Sequence, residues 1–275
     1  MGPESADYVL GHSNTELDRL TVQARAFQPF TRELFAEAGL QEGMRVVEIG
    51  SGSGDVAMLA AEFVGPAGEV IGVEQSPDAV KLATDRAESR ELTNVSFKCA
   101  KIDDELPIGR DFDALVGRLV LMYLPAPAVT LRRLVRHLRP GALVAFQEIN
   151  ILGARAVPAI PTIEQAQTWI REAFLQSGVD IQTGPKLHGL FKAAGLPSPE
   201  MRVDGLISGS EGVVPALMTD VIRTLLPLIE QLGLATASEV DINALEDRMR
   251  AELEAVDGTL SSPLLVGAWS NTPGQ

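Results

Sequence analysis

Apolar residues first recur at helical spacing, with Leu17, Leu20, Ala24 and Phe27 on one face behind a Ser13-Asn14-Thr15-Glu16 capping box. Pro29 is expected to stop that helix, and a second one is expected over 31–38 before Gly39. From Met44 the texture changes to short apolar runs alternating with amphipathic stretches. Strands are predicted at 45–49, 69–73, 95–99, 112–116 and 142–148, with helices at 55–63, 77–91 and 126–138 between them, the last ending at Arg139-Pro140-Gly141. Near-continuous apolar strands alternating with helices imply a parallel sheet covered on both faces. After Asn150 the alternation loosens. Helices are predicted over 163–176 and 185–194, a strand over 201–207, helices over 213–231 (interrupted at Pro227) and 239–256, and a last strand over 264–269. No internal repeat or low-complexity segment interrupts the 275 residues.

Composition narrows this picture. Hydrophobic residues make up 45% of the chain and aromatic ones only 5%, which excludes global disorder and implies a mostly aliphatic core. Thirty-seven acidic against 23 basic residues give a net charge of −14, which repels a phosphate backbone or an anionic membrane surface. Nucleic acid and membrane are therefore not expected as partners. The single cysteine allows no intramolecular disulfide and fits a reducing cytoplasm; Cys99 itself reads as a small buried apolar residue. The polar, acidic start gives no sign of a signal peptide, and no run approaches the roughly 20 apolar residues of a spanning helix. No metal-ligand spacing is present, so no metal is implied. His137 and His188 read as solvated or packing residues.

The chemistry concentrates in Glu48-Ile49-Gly50-Ser51-Gly52-Ser53-Gly54, between the first strand and its helix. Glycines there allow a sharp turn and close approach of a ligand to main-chain N–H groups, at the positive end of a helix. A dinucleotide fingerprint needs its third glycine at position 55, which is Asp55; Gly54 gives G-x-G-x-G instead. That pattern, with an acid two residues ahead of it, resembles the first motif of class I S-adenosylmethionine-dependent methyltransferases of the small-molecule, seven-stranded kind. Leu121–Pro127 and Leu138-Arg139-Pro140-Gly141 are similar to the corresponding later stretches of that family.

The resemblance implies a Rossmann-like, doubly wound α/β fold, mostly parallel with an antiparallel last strand, carrying helical cover from the N-terminus and the C-terminal half. It implies one domain: a cap over 1–43, a cofactor-binding half over 44–150 and a substrate-side half over 151–275, with a lid at about 208–258. The cofactor would be S-adenosyl-L-methionine. In the family's arrangement Glu48 lies near the methionine ammonium, and the backbone of Gly50, Ser51, Gly52 and Gly54 runs along the amino-acid and ribose portions. Glu74, 20 positions after Gly54, matches the ribose-binding acid, and Gln75 borders the adenine. Ile102 and Asp103 fall where the adenine ring and its amine are contacted, the family's register placing its acid at Ile102. Arg118 falls below the methionine, where many relatives carry a smaller residue, and Tyr8 of the N-terminal cap joins the cofactor side.

A sulfonium methyl group is already activated, so the protein chiefly aligns it with the acceptor. His12, before the first helix, and Glu148, beside Gln147 at the end of the fifth strand, are the candidate catalytic groups. Met122 and Tyr123 either line the substrate mouth or pack in the core. The function implied is methyl transfer to an O, N or C atom of a small hydrophobic metabolite. The alternatives are a non-catalytic S-adenosylmethionine-binding protein and a NAD-linked oxidoreductase. The sequence leaves the oligomeric state open.

Overall fold

The structure, a computed structural model, describes residues 14–102 and 106–274, with backbone alone for 14–25. Helix α1 (Asn14–Ala38) leads into β1 (Arg45–Ile49), α2 (Asp55–Val64), β2 (Glu69–Glu74), α3 (Pro77–Ser89), β3 (Val95–Cys99) and β4 (Phe112–Arg118). A 3₁₀ turn at Leu121–Tyr123, α4 (Pro127–Leu134) and β5 (Leu138–Asn150) follow. The second half comprises β6 (Arg155–Val157), α5 (Pro161–Gln176), α6 (Thr183–Ala194), β7 (Glu200–Asp204), β8 (Ile207–Ser208) and α7 (Val214–Gln231). It closes with α8 (Ala237–Val240), α9 (Leu245–Ala255), β9 (Thr259–Ser261) and β10 (Leu264–Asn271).

Seven strands form one sheet in the order β3-β2-β1-β4-β5-β10-β7. All are parallel except β10, which runs antiparallel to both β5 and β7. This is the Rossmann-like architecture that the alternation and the resemblance implied. Successive side chains alternate between the faces. Val46, Ala114, Val116 and Ala145 pack under α1 and α2, while Val47, Ile49, Leu115, Val144 and Phe146 pack against Leu187 and Phe191 of α6. The strand order reverses between β1 and β4, which opens a crevice at their carboxyl ends.

Several expectations fail locally. Pro29 does not stop α1, which is continuous through it. The ring sits on the exposed side, while Phe27, Thr31, Leu34 and Phe35 form a buried face, so packing outweighs the lost backbone hydrogen bond. The helix expected over 126–138 runs as α4 and then a 3₁₀ turn over Val135–His137, and Arg139-Pro140-Gly141 after it already belongs to β5, whose pairing with β4 is irregular there. The strand expected over 201–207 is split between β7 in the large sheet and β8 in a second, three-stranded sheet of order β6-β9-β8. The helix expected over 239–256 breaks into α8 and α9, with Asp241 in the left-handed region at φ 44°. Cys99 is exposed, because β3 is an edge strand with one open face. The Ser13 cap of α1 and the side chains of Leu17, Leu20 and Ala24 lie outside the described residues.

The C-terminal half has a core of its own. Ile163 and Ala166 of α5, Ile222 and Leu225 of α7, Met249 and Leu253 of α9 and Leu260 of β9 are fully buried together. Leu119, Met122, Tyr123 and Ile149 pack against the same cluster, so it reaches the carboxyl edge of β4 and β5. Among the described residues, no helix is long and apolar enough to cross a membrane.

Candidate active site

The loop after β1 is drawn tightly onto β2. The Gly50 and Ser51 N–H groups both donate to the Val73 carbonyl, at 2.9 and 3.1 Å. Gly50, Gly52 and Gly54 have φ of 67°, 49° and 83°, a region that side chains rarely enter. At Gly50 a Cβ would also come within 2.6 Å of Val120 Cγ2. The far end of the loop is pinned by α3, since Arg86 holds both Asp55 carboxylate oxygens at 2.9 and 2.7 Å and also donates to the Ser53 carbonyl.

Glu74 ends β2 and faces this loop. Its Oε2 accepts from the Gly52 N–H at 3.0 Å and its Oε1 from the Ser76 N–H at 2.9 Å. Each carboxylate oxygen keeps a lone pair for a further donor. Gln75 beside it is exposed, and Ile102 packs at the edge of the sheet core. Asp103, Tyr8 and His12 lie outside the described residues.

Strand register explains the next group. Arg118 and Gln147 are partners across β4 and β5, and Glu48 shares their face, the one covered by α1. Glu48 is 1% exposed, and among the described residues neither its Oε2 nor Ser51 Oγ nearby finds a hydrogen-bond partner. Burial pushes the Glu48 carboxyl up to about 8, with Arg118 pulling the other way and Asp55 and Glu74 adding to the rise. Burial also holds the Arg118 guanidinium below its usual value. Arg118 Nη1 donates to Thr31 Oγ1 at 3.0 Å. The Thr31 hydroxyl in turn lies 2.8 Å from Gln147 Oε1 and 3.2 Å from the Phe27 carbonyl, either of which accepts its proton.

On the opposite face of β5, Glu148 is fully buried and caps the 3₁₀ turn. Its Oε1 accepts from the Val120 and Leu121 N–H groups at 3.0 and 2.8 Å, while Oε2 is unpartnered. Burial raises its pKa to about 7 against the pull of those N–H groups. Leu119, just before this turn, is held at φ 53° with its N–H on the Gln147 carbonyl at 2.9 Å. Strained non-glycine backbone of this kind concentrates at functional edges. Met122 and Tyr123 follow on the turn and meet the second core.

The structure thus brings Glu48, Gly50, Ser51, Gly52, Gly54, Glu74, Gln75 and Arg118 to one crevice, with Glu148 behind it. Sequence reasoning missed Thr31, Asp55 and Arg86. Thr31 carried no motif, and the expected helix break at Pro29 concealed its place on the buried face of α1. Asp55 was read only as the residue that spoils a dinucleotide fingerprint.

The residues suit an S-adenosylmethionine molecule. An unpartnered buried carboxylate oxygen beside a glycine loop fits its ammonium, and Arg118 fits its carboxylate.

A family model described as a methyltransferase domain matches residues 40–195. A methyltransferase of Strobilurus tenacellus is 26% identical over 190 residues, covering 68% of this chain and 65% of that protein. The aklanonic acid methyltransferase of Streptomyces sp. (strain C5) is 32% identical over 151 residues, 54% of this chain and 66% of that one. The chain therefore spans less than two thirds of the length of these curated relatives. Among solved structures, a putative methyltransferase of Bacillus halodurans C-125 superposes with a TM-score of 0.58 at 14% identity, over 88% of this chain and 98% of that one, a likeness of fold.

Proposed function

The chain belongs to the family of methyltransferase domains, and on that premise we propose that it transfers the methyl group of S-adenosyl-L-methionine to an O, N or C atom of a small, hydrophobic acceptor. The observation that carries this reading is the pair of buried, unpartnered oxygens, Glu48 Oε2 and Ser51 Oγ, beside three glycines of positive φ at the β1–β4 crevice. Glu48 would accept from the cofactor's ammonium, and Arg118 would face its carboxylate. The remaining lone pairs of Glu74 would accept from the ribose hydroxyls. Gln75 and Ile102 would border the adenine, with Asp103 near its amine and Tyr8 over the site from the N-terminal cap.

When bound, S-adenosylmethionine supplies a methyl carbon activated by the sulfonium. The chain's own contribution is alignment and exclusion of water. Leu119, Met122, Tyr123 and Ile149 present an apolar wall continuous with the core of the C-terminal half, which favours a hydrophobic acceptor. The net charge of −14 disfavours a nucleic-acid acceptor. Glu148 shapes the wall by capping the turn that carries Met122 and Tyr123. A second role, as base towards a phenol or carbon acid, is favoured by its unpartnered Oε2 and a pKa near 7. His12 is the alternative base.

Calorimetric titration with S-adenosylmethionine tests the first step, and absence of binding at millimolar cofactor refutes it. A panel of phenols, quinones, amines and terpenoid-like compounds, scored by release of S-adenosylhomocysteine, then tests the acceptor class. Aklanonic acid, named for the Streptomyces relative, belongs in that panel. Turnover with amines alone would overturn any role for a base.

A further inference from the structure

The side chain of Arg118 is half-buried and makes no salt bridge among the described residues. It emerges from the carboxyl end of β4 on the face under α1, onto a cavity of about 120 Å³ that Gln28, Asp55, Arg86 and Arg90 also line. Asp55 feels the charge of Arg118 but is engaged in a two-pronged pair with Arg86, and Glu48 makes no ion pair with it. A guanidinium has five N–H donors, and one of them is fixed here, on Thr31 Oγ1. That hydroxyl is 1% exposed, and so is Gln147, which lies within 2.8 Å of it. The amide nitrogen of Gln147 has no partner among the described residues. Two side-chain contacts link the buried Thr31 and Gln147 to the half-buried Arg118, and enclosing this chain while donors of Arg118 and Gln147 stay unused is unfavourable unless the arrangement serves something else.

We propose that Thr31 and Gln147 are positioning residues for the carboxylate of the cofactor: together they hold the Arg118 guanidinium against the α1 face of the sheet, so that recognition of that carboxylate depends on the docking of α1. This rests on the cofactor reading above. A free arginine side chain loses rotamer entropy when it binds an anion, and fixing it beforehand removes part of that loss. Thr31 supplies the fixed acceptor from a helix whose neighbours Phe27, Leu34 and Phe35 are locked in the core. Gln147, the register partner of Arg118, orients the Thr31 hydroxyl so that its lone pairs face the guanidinium. Thr31 lies outside residues 40–195, so the matched family region leaves this contact to the N-terminal helix.

The test uses the full chain and three probes: S-adenosylmethionine, its decarboxylated analogue and 5′-methylthioadenosine, which lacks the whole amino-acid part. Dissociation constants are measured for the wild type, Thr31→Val, Thr31→Ser and Gln147→Leu, each checked for its melting temperature. We expect Thr31→Val to cut the preference for S-adenosylmethionine over the decarboxylated analogue by about three- to tenfold. Binding of 5′-methylthioadenosine should stay within about twofold, Thr31→Ser should restore the preference, and Gln147→Leu should lower it in the same sense. An unchanged preference in Thr31→Val overturns the proposal. Equal weakening of all three probes also overturns it, since the residue would then act through general stability. A wild type that binds none of the probes instead refutes the cofactor reading itself.

Discussion

The carboxyl edge of β1, β2 and β4 and the C-terminal cover bury their side chains for different reasons. At the edge, charged and polar groups are buried without full satisfaction: among the described residues, Glu48 Oε2, Ser51 Oγ and Gln147 Nε2 have no partner. Three glycines and Leu119 adopt positive φ beside them. In the cover, Ile222, Leu225, Ile229, Met249 and Leu253 are wholly buried among other aliphatic groups. The first region leaves polar atoms open at the crevice where we place the cofactor. The second buries an aliphatic core, yet among the described residues it too leaves Gln167 Nε2, Trp169 Nε1, Ser208 Oγ and Glu252 Oε2 without a partner. What sets the edge apart is therefore not unsatisfied polar atoms alone but their coincidence with the Gly50–Gly54 loop at the strand crossover, while the aliphatic cover supplies shape.

The sharpest way to break this distinction is Ile222→Ala. Removing a fully buried isoleucine costs about 2–5 kcal/mol when the surroundings relax only partly. We expect that loss in denaturant unfolding, with the affinity for S-adenosylmethionine unchanged within twofold at temperatures where the variant is folded. Because α7 also packs on α1, a parallel fall in cofactor affinity would show that the two regions are not energetically separate.

Glu74→Ala probes the other side. The variant loses a carboxylate that accepts from Gly52 and Ser76 and faces the expected ribose position. Cofactor affinity should fall by about 1–3 kcal/mol, the scale for hydrogen bonds to a charged group. Glu74→Gln retains one acceptor oxygen and should recover part of this. Equal affinity for all three proteins in calorimetry would remove Glu74 from the site.

The same contrast explains what could be read from sequence. The Gly50–Gly54 spacing, Glu48 and Glu74 were legible because a fixed ligand demands fixed residue types at fixed positions along two strands. The parallel strands were legible because burial on both faces leaves long apolar runs. In the cover, side chains need only be apolar and of suitable volume, so the pattern gives helices without their breaks. The break at Asp241 depends on one residue in the left-handed region, and β6, β8 and β9 are too short for alternation to register. Thr31 was invisible for a third reason. Its role arises from contacts to β4 and β5 across 87 and 116 residues of chain, behind a proline that locally argues against a helix.

Glu48 offers a finer probe, through pH. Its carboxyl is raised to about 8 by burial, with Asp55 and Glu74 adding and Arg118 and the Ala57 N–H opposing. The sign follows from linkage: the folded protein holds this proton where the unfolded chain, with an ordinary carboxylate, has lost it. The contribution to stability is thus full at low pH and declines as pH rises towards 8. A cofactor ammonium favours the ionised form, so binding should release a proton below pH 8. Affinity should rise with pH between 6 and 8, by at most about tenfold per unit, and level off near 8. Glu48→Gln should flatten that slope. A wild-type affinity independent of pH over this range would contradict the placement of the ammonium at Glu48.

The smallest effect is expected at Glu148, where the edge and the cover meet. Its pKa of about 7 is also raised by burial, so at pH 8 the folded protein carries an ionised carboxylate that it would hold more readily as a neutral group. Glu148→Gln keeps an oxygen to accept from the Val120 and Leu121 N–H groups and removes the charge. We expect the variant to match the wild type in melting temperature at pH 5 and to exceed it at pH 8. A gain of about 1 kcal/mol corresponds to ~2–4 °C for a chain of roughly this size. Cofactor affinity should not change, because the side chain faces away from Glu48 and Arg118. Turnover separates the two roles of the residue. A capping residue leaves the rate nearly intact in the glutamine variant, whereas a base loses the rise in rate with pH through 7. If turnover collapses while the turn stays folded, Glu148 belongs with the under-satisfied edge and its chemistry; if turnover persists, it belongs with the packing that shapes the acceptor wall.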